Sequence, residues 1–298
     1  MAQYGCDTAS KSGEPLMRKA SALSRFVASG IAAGVLLCGC GQPPVPSTAS
    51  KVHAPAAGRA LARGIDQANL PAGTIYRNPV SGRDEVVIPD ISRTALLIGD
   101  SQSEPADGWP RLALAALGYR VHFCGLGGTG FVAANGRTGN YIDALLRGDW
   151  MLPLGTPPLI VIQGGGNDAG RGATDAQIVA NADRLIDALD ERYPGVQKVM
   201  IGTLGRGANH GGGRRSQVDA LLGTVAATHG MAFVGVGDWL TRFGLTKDLA
   251  DSVHMNASGR RSLGTLLGGR LRELGITAPP SGGAGPLAIA GQGAAATQ

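Results

Sequence analysis

Apolar and polar positions between residues 95 and 275 follow a pattern typical of strands that alternate with helices. Short apolar runs predict five buried strands, at 95–99, 119–124, 159–163, 199–204 and 231–236. Between the strands, apolar residues recur at helical spacing, as at Ile178, Ala182 and Leu185. Strands that are apolar throughout and are connected by helices belong to a parallel sheet covered on both faces. The pattern therefore predicts a three-layer, doubly wound α/β domain, to which we assign residues 71–277.

The N-terminal segment has a different pattern. An uncharged, mostly apolar run at 26–37 follows basic residues and is too short to span a bilayer, as in the apolar region of a signal peptide. It leads into Leu37-Cys38-Gly39-Cys40, which resembles a bacterial lipoprotein signal. This resemblance implies a signal peptide at 1–39, acylation of Cys40, and an exported protein anchored in the cell membrane on its extracytoplasmic face. The alternative is an ordinary secretory signal that is cut nearby.

Two segments without periodicity flank the predicted domain. Residues 41–58 are rich in Pro, Ala and Ser, which predicts a flexible tether behind the lipid anchor, and we assign residues 40–70 to it. Residues 278–298 carry no charge and much Gly and Ala, which predicts a disordered tail. At the other end, Met17 begins a compact basic segment typical of a signal peptide, so we expect translation to start there rather than at Met1.

Composition and charge narrow the classes of function. The chain has 48 glycines and no collagen-type repeat, so the glycines are expected in turns and backbone-lined sites. The formal net charge is +5, but no basic stripe is interleaved with aromatic residues, so we expect no nucleic-acid partner. If Cys40 is acylated, Cys124 is the one thiol left after cleavage, so no intramolecular disulfide can form. No heptad pattern indicates an oligomeric state.

Polar motifs stand where the predicted strands end. They are Asp100-Ser101, the glycine run 125–130, Asn167-Asp168, and Asp251-x-x-His254 before the last helix. In doubly wound sheets, ligands bind at the carboxyl ends of the strands. Each motif alone is weak, because an Asn-Asp pair commonly caps a helix and a single His is commonly structural. The Asp-x-x-His spacing has no partner cluster, so it predicts no metal site.

Together, and in this order, the motifs resemble the four sequence blocks of the SGNH, or GDSL-type, hydrolases. Asp100-Ser101 matches the first block, with Gln102 where lipase-type members have leucine. Thr129-Gly130 matches the second, residues 165–168 the third, and Asp251 with His254 the last. The resemblance covers about residues 94–275 and implies a flavodoxin-like, five-stranded parallel sheet and a serine esterase without a cofactor. Gln102 and an insert at 131–158 leave the subfamily and substrate open.

The resemblance also implies a role for each matched residue. Ser101 would be the nucleophile, His254 its general base, and Asp251 the group that orients the imidazole. The oxyanion hole would consist of the Ser101 and Gly130 backbone N–H groups and the Asn167 side-chain amide. Gly128 is the alternative to Gly130, because a glycine run leaves the register open.

One competing interpretation concerns the same glycine run. Residues 125–130 fit G-x-G-x-x-G after a strand, which is the dinucleotide-binding pattern. That pattern requires a helix that begins at once and holds the pyrophosphate at its N-terminus. Asn135-Gly136 and Thr138-Gly139 interrupt any such helix, so we do not expect nucleotide binding.

Several residues near the predicted site have two open interpretations. Arginines of the 205–215 loop could contact an anionic substrate or could be solvated: Arg206, Arg214 and Arg215. Large aromatic residues could line a pocket for an acyl group or a sugar, or could belong to the core: Trp109, Tyr141 and Trp150.

The sequence therefore predicts an exported serine esterase that hydrolyses acyl esters of lipids or of acylated cell-envelope glycans through an acyl-enzyme. Two alternatives stay open. The same site could transfer an acyl group to an envelope glycan or lipid, or the protein could be a surface lipoprotein that binds without catalysis.

Overall fold

The computed structural model describes residues 70–79 and 81–280. Cys40, the predicted signal peptide and nearly all of the predicted tether and tail lie outside the described residues. Within them, the chain forms eight strands: β1 (Ile75–Arg77), β2 (Asp84–Val86), β3 (Thr94–Gly99), β4 (Arg120–Gly125), β5 (Leu152–Pro153), β6 (Leu159–Gln163), β7 (Gln197–Ile201) and β8 (Ala232–Val234).

The larger sheet has five strands in the order β4–β3–β6–β7–β8, and all of its neighbouring strands are parallel. This order places the first strand of the sheet second from one edge, which is the flavodoxin-like arrangement. The register aligns Gly99 with Gly125, and Ile98 with Ile162. Consequently the loops that follow β3, β4 and β6 meet at one edge of the sheet. The predicted fold class is confirmed.

The described helices are α1 (Trp109–Ala116), α2 (Tyr141–Arg147), α3 (Gly166–Gly170), α4 (Asp175–Arg192), α5 (Gly213–Thr228), α6 (Trp239–Arg242) and α7 (Ala257–Glu273). Local sequence explains where several of them begin. The Thr174 side chain and Gln177 form a capping box at the start of α4, and the Asn256 side chain accepts from the Gly259 N–H at the start of α7.

The core consists of two layers, one on each face of the larger sheet. On one face, α1 and α7 pack against residues such as Leu97 and Val161. On the other face, α2, α4 and α5 pack against Leu96, Ile98 and Ile160. Successive residues of β3 therefore point into different layers, which explains why this strand is apolar throughout.

A second, smaller sheet was not predicted from the sequence. It has the order β1–β2–β5, in which β1 and β2 are antiparallel and β2 and β5 are parallel. Glu85 in β2 is 1% exposed and accepts two hydrogen bonds, of 2.5 and 2.7 Å, from the Arg192 guanidinium at the end of α4. This buried ion pair joins the small sheet to the main domain. Its attraction and hydrogen bonds offset the free-energy cost of removing the two charges from water.

The predicted insert at 131–158 also has regular structure, since it contains α2 and β5. The strand in this insert, β5, pairs with β2, which is distant in sequence. The residue pattern of the insert alone therefore does not reveal the strand. None of the described helices is long and apolar enough to cross a membrane.

Candidate active site

A tight turn at the carboxyl end of β3 positions Ser101. The Asp100 carbonyl accepts the N–H groups of Ser103 and Glu104, both at 2.9 Å, and the Asp100 carboxylate accepts the Gln102 N–H at 2.9 Å. Asp100 is 2% exposed, and this burial raises the pKa of its carboxyl to about 6. These hydrogen bonds to Asp100 hold the backbone of the turn, and the Ser101 side chain lines a cavity.

His254 and Asp251 complete a hydrogen-bonded chain with Ser101. His254 Nε2 lies 2.9 Å from Ser101 Oγ, and His254 Nδ1 lies 2.8 Å from Asp251 Oδ2. Sequence reasoning placed these three residues at strand ends, and the structure brings all three together within hydrogen-bond distance. In this geometry the imidazole can take a proton from the hydroxyl while the carboxylate holds the opposite ring nitrogen.

The loop that carries His254 is organised by Asp251 itself. The second oxygen of its carboxylate accepts the Val253 N–H at 2.8 Å and the His254 N–H at 2.7 Å. These backbone hydrogen bonds, together with the His254 side chain, hold the pKa of Asp251 well below its usual range. The Asp251 side chain is nevertheless 54% exposed, so the Asp251–His254 pair lies at the surface.

Asn167 lines the same cavity from the first turn of α3. Its side-chain nitrogen donates one hydrogen bond to the Thr129 carbonyl at 2.9 Å, which leaves the second amide hydrogen for another acceptor. The N-terminal cap position of α3 is Gly165, so Asn167 does not cap this helix. Gly165 has a φ of +93°, a left-handed conformation that favours glycine at this position.

The choice of Gly130 for the oxyanion hole is not supported by its contacts. Its N–H donates to the Ala133 carbonyl at 2.9 Å, and its Cα faces the Asp168 carboxylate, which a Cβ would meet at 2.3 Å. Gly128, the alternative, lines the cavity with a φ of +81°. Among the described residues, neither the Gly128 N–H nor the Ser101 N–H has a hydrogen-bond acceptor. These two N–H groups are therefore free to donate to a ligand in the cavity.

Asp168 is a site residue whose role the sequence did not reveal. It is fully buried, and its carboxylate accepts the backbone N–H groups of Phe131, Val132 and Ala133 at 2.7–3.0 Å. Asn167 and Asp168 thus fasten the loop after β6 to the loop after β4. In the sequence, Asp168 stood out only as part of the matched block 165–168, and an Asn-Asp pair is also typical of a helix cap.

Glu104 supports the same glycine loop from the opposite side. Its carboxylate accepts the Gly127 N–H at 2.7 Å, next to Gly128. Asn135 donates to the Gly127 carbonyl at 3.0 Å. Both groups of the Gly127 backbone are therefore held, which fixes the peptide that leads into Gly128.

The cavity in front of Ser101 has a volume of about 330 Å³ and walls of mainly polar and glycine residues. Leu204 and Val253 supply its aliphatic side chains. Arg215 also lines it: the guanidinium lies over Gly166, donates to the Leu204 carbonyl at 3.2 Å, and has its pKa lowered by burial.

The other arginines and the aromatic residues take different places. Arg214 pairs with Asp175 at 2.6 Å, and Arg206 is exposed and is not a cavity residue. Two aromatic residues, Trp109 and Tyr141, are buried in the core. The third, Trp150, borders a separate cavity beside the small sheet. Of the six residues with two open interpretations, Arg215 is therefore the one that lines the cavity in front of Ser101.

The structure also bears on the competing interpretations. The glycine run follows β4, but the next helix, α2, begins only at Tyr141, so the run does not lead directly into a helix N-terminus as the dinucleotide-binding pattern requires. Within the described part of the chain, no three His, Cys, Asp or Glu side chains are grouped in a way that could hold a metal ion.

Comparison with known proteins places this site in a family. Residues 92–261 match the model of the GDSL-like Lipase/Acylhydrolase family. This range includes the turn at Ser101, the glycine loop, Asn167 with Asp168, and the Asp251–His254 loop, and it spans more than half of the chain. The chain belongs to the GDSL-like Lipase/Acylhydrolase family.

The individual proteins that resemble this chain have sequence identities of 30% or less to it. The chain is 30% identical over 134 residues to a multidomain esterase from Ruminococcus flavefaciens, which covers 43% of this chain and 17% of that protein. A family two carbohydrate esterase from Cellvibrio japonicus is 16% identical, with a TM-score of 0.48, over 65% of this chain and 64% of that one. A lipase/acylhydrolase from Enterococcus faecalis is 19% identical, with a TM-score of 0.44, over 61% and 96%.

Proposed function

We propose that this chain is a carboxylic ester hydrolase in which Ser101, His254 and Asp251 act as nucleophile, base and orienting carboxylate. The observation that carries the proposal is the continuous chain of two hydrogen bonds, of 2.9 and 2.8 Å, from Ser101 Oγ through the imidazole to Asp251. A binding module has no need of a serine hydroxyl aligned with a base, so this arrangement favours catalysis over the non-catalytic alternative.

Acylation begins when Ser101 Oγ attacks the ester carbonyl carbon and its proton passes to His254 Nε2. The carbonyl oxygen becomes an oxyanion, which the N–H groups of Ser101 and Gly128 and the free amide hydrogen of Asn167 stabilise. When the intermediate collapses, the C–O bond to the alcohol breaks and the alcohol takes the proton from His254. Asp251 stabilises the imidazolium that exists between these two proton transfers.

Deacylation repeats the sequence with water. His254 accepts a proton as water attacks the acyl-Ser101 carbonyl, the oxyanion forms in the same hole, and the Ser101–acyl bond breaks with return of the proton to Oγ. The products are a carboxylic acid and the free serine. An acceptor alcohol in place of water gives acyl transfer by the same steps, so the transferase alternative differs only in the second nucleophile.

The cavity walls favour a short acyl group on a polar alcohol. Each buried methylene contributes roughly 0.8 kcal/mol, but only where apolar walls receive it. Here the aliphatic walls are Leu204 and Val253, and the rest is glycine, backbone and polar side chains. Of the substrates predicted from the sequence, we therefore propose acylated glycans rather than long-chain lipids.

A chain-length series of p-nitrophenyl esters tests both parts of this proposal. The full-length protein should hydrolyse the acetate and butyrate esters, and the palmitate ester at least about tenfold more slowly, while Ser101→Ala should hydrolyse none of them. A preference for palmitate would contradict the short-acyl proposal. Equal rates for wild type and Ser101→Ala would contradict the esterase proposal. Adding an acceptor alcohol and analysing the products distinguishes transfer from hydrolysis.

We also propose, from the sequence at 26–40, that the protein is exported and anchored through Cys40. A multiply acylated cysteine binds a membrane far more strongly than the marginal hold of one acyl chain. Replacing Cys40 with Ser should release the protein into the soluble fraction or block its maturation. A Cys40→Ser protein of mature size that still fractionates with membranes would contradict this proposal.

A further inference from the structure

The loop that carries His254 has few contacts with the rest of the site. Its internal hydrogen bonds join the Ala250 N–H to the His254 carbonyl at 2.8 Å and the Asp251 carboxylate to the N–H groups that follow it. These bonds shape the loop but do not fix its distance from Ser101. Asp251 and Ser252 at its tip are exposed.

One side chain next to the nucleophile connects this loop to the core. Gln102 Nε2 donates to the Val253 carbonyl at 2.9 Å, and Gln102 Oε1 accepts from Trp109 Nε1 at 3.0 Å. Trp109 is fully buried at the start of α1, and the Gln102 backbone N–H is held by Asp100. The amide of Gln102 therefore uses both of its ends, one toward the rigid core and one toward the residue before His254.

We propose that Gln102 is a positioning residue that fixes His254 over Ser101 by transmitting the position of Trp109 to the Val253 carbonyl. Only a side chain with a donor and an acceptor at this distance can form both bonds. Leucine, which lipase-type members carry at this position, can form neither. Because an error of about 1 Å in the placement of a catalytic group can cost up to about 100-fold in rate, such a link has a direct effect on turnover. The inference rests on the proposed esterase function.

The kinetic test uses the full-length protein and a p-nitrophenyl acetate assay. Gln102→Leu should lower kcat about 5- to 10-fold, the effect of one lost hydrogen bond, and should change KM less than twofold. The fraction of sites labelled by a fluorophosphonate at long times should stay complete, because the nucleophile and fold are intact.

A double-mutant cycle with Trp109→Phe tests the link itself. Trp109→Phe removes the indole N–H and should lower kcat in the wild type, but it should have no further effect on kcat in the Gln102→Leu protein. Matched controls are Trp239→Phe, a second buried tryptophan, and Gln217→Leu on the exposed face of α5. Both controls should keep the wild-type kcat.

Hydrogen exchange gives a readout that does not depend on activity. Amide exchange of the peptide covering 250–256 should be faster in Gln102→Leu than in the wild type and unchanged in Gln217→Leu. A kcat within twofold of wild type in Gln102→Leu, additive effects in the cycle, or unchanged exchange would each overturn the proposal. If the wild-type protein shows no esterase activity, the proposed function fails, and the exchange experiment still decides whether Gln102 holds the loop.

Discussion

Asp168 and Asp251 shape the two sides of the site around Ser101, and they lie in opposite environments. Asp168 is fully buried and binds three consecutive backbone N–H groups of the loop after β4. The Asp251 side chain is 54% exposed and binds two N–H groups of its own loop as well as His254. Both are carboxylates that organise a loop, but only Asp168 joins two different parts of the fold.

This difference indicates how the two sides work. Hydrogen bonds to a buried carboxylate are strong, and the cost of leaving such N–H groups unpaired keeps the loop in place. In the proposed mechanism, the side that would stabilise the oxyanion is therefore preorganised before substrate binds, as electrostatic stabilisation requires. The proposed acid–base side, the loop with Asp251 and His254, is exposed to solvent. Its geometry therefore depends on a few contacts, among them the hydrogen bond from Gln102 to the Val253 carbonyl.

The largest effect is expected at the residue that both sides share. Ser101→Ala should lower kcat on the order of 10⁶-fold, because the remaining members of a triad cannot act without the nucleophile. Ser103→Ala is the matched control: Ser103 is fully buried and bonded to Gln163 at 2.6 Å, so it should affect stability more than turnover. Fluorophosphonate labelling followed by peptide mapping checks this, and a label on Ser103 or Ser252 would contradict the assignment.

On the oxyanion side, Asn167→Ala should lower kcat by about 10²–10³-fold, because one preorganised donor is lost. KM should change little, since the oxyanion exists only after attack. Steady-state kinetics with p-nitrophenyl acetate measure both parameters. An unchanged kcat would mean that Asn167 serves only to hold the Thr129 carbonyl, which its side chain contacts at 2.9 Å.

Matched substitutions of the two carboxylates test the comparison directly. Asp168→Asn should lower the free energy of unfolding by about 3 kcal/mol, because buried N–H groups lose a charged acceptor. Asp251→Asn should leave the urea midpoint nearly unchanged but lower kcat by about 10–10²-fold. This loss is smaller than the roughly 10⁴-fold expected for a buried triad aspartate, since water can partly orient an exposed imidazole. Equal stability losses in both variants would contradict the contrast between the two sides.

The smallest effect concerns stability and pH. Burial raises the pKa values of Asp100 and Asp219 to about 6. Between about pH 4 and pH 6 the folded protein therefore holds protons that the unfolded chain has released. The folding stability contributed by each group therefore falls by at most about 1.4 kcal/mol per pH unit as pH rises through this window, and it is constant above the window.

Urea unfolding between pH 4 and pH 7 measures this slope. His122 works in the opposite sense, because burial lowers its pKa and stability then increases with pH up to its unfolded value. The informative comparison is therefore with Asp219→Asn, which keeps His122 and should show a less negative slope than the wild type. Identical slopes in the two proteins would contradict the predicted titration of Asp219.

Local sequence determined much of the fold of this protein. The apolar runs that became β3 and β6 are buried on both faces, so their composition identifies them without knowledge of their partners. The helix α4 is also identifiable from local sequence, because a capping box marks its start. The strands β1, β2 and β5 have two or three residues each, which is too short for an apolar pattern to identify them. β1 and β2 form a short antiparallel pair, and β2 pairs with β5 across 67 positions, from Glu85 to Leu152, so only the folded chain reveals this sheet.

At the site, the sequence determined the residue types and their order, because Ser101, Asn167, Asp251 and His254 each stand in a recognisable motif at the end of a predicted strand. Tertiary structure alone decided which glycine faces the cavity. Gly128 and Gly130 are equivalent in a glycine run, and the buried Asp168 carboxylate against Gly130 sets the register. Tertiary structure also decided the proposed role of Gln102, because only the folded chain brings the Val253 carbonyl and the Trp109 indole to the Gln102 side chain.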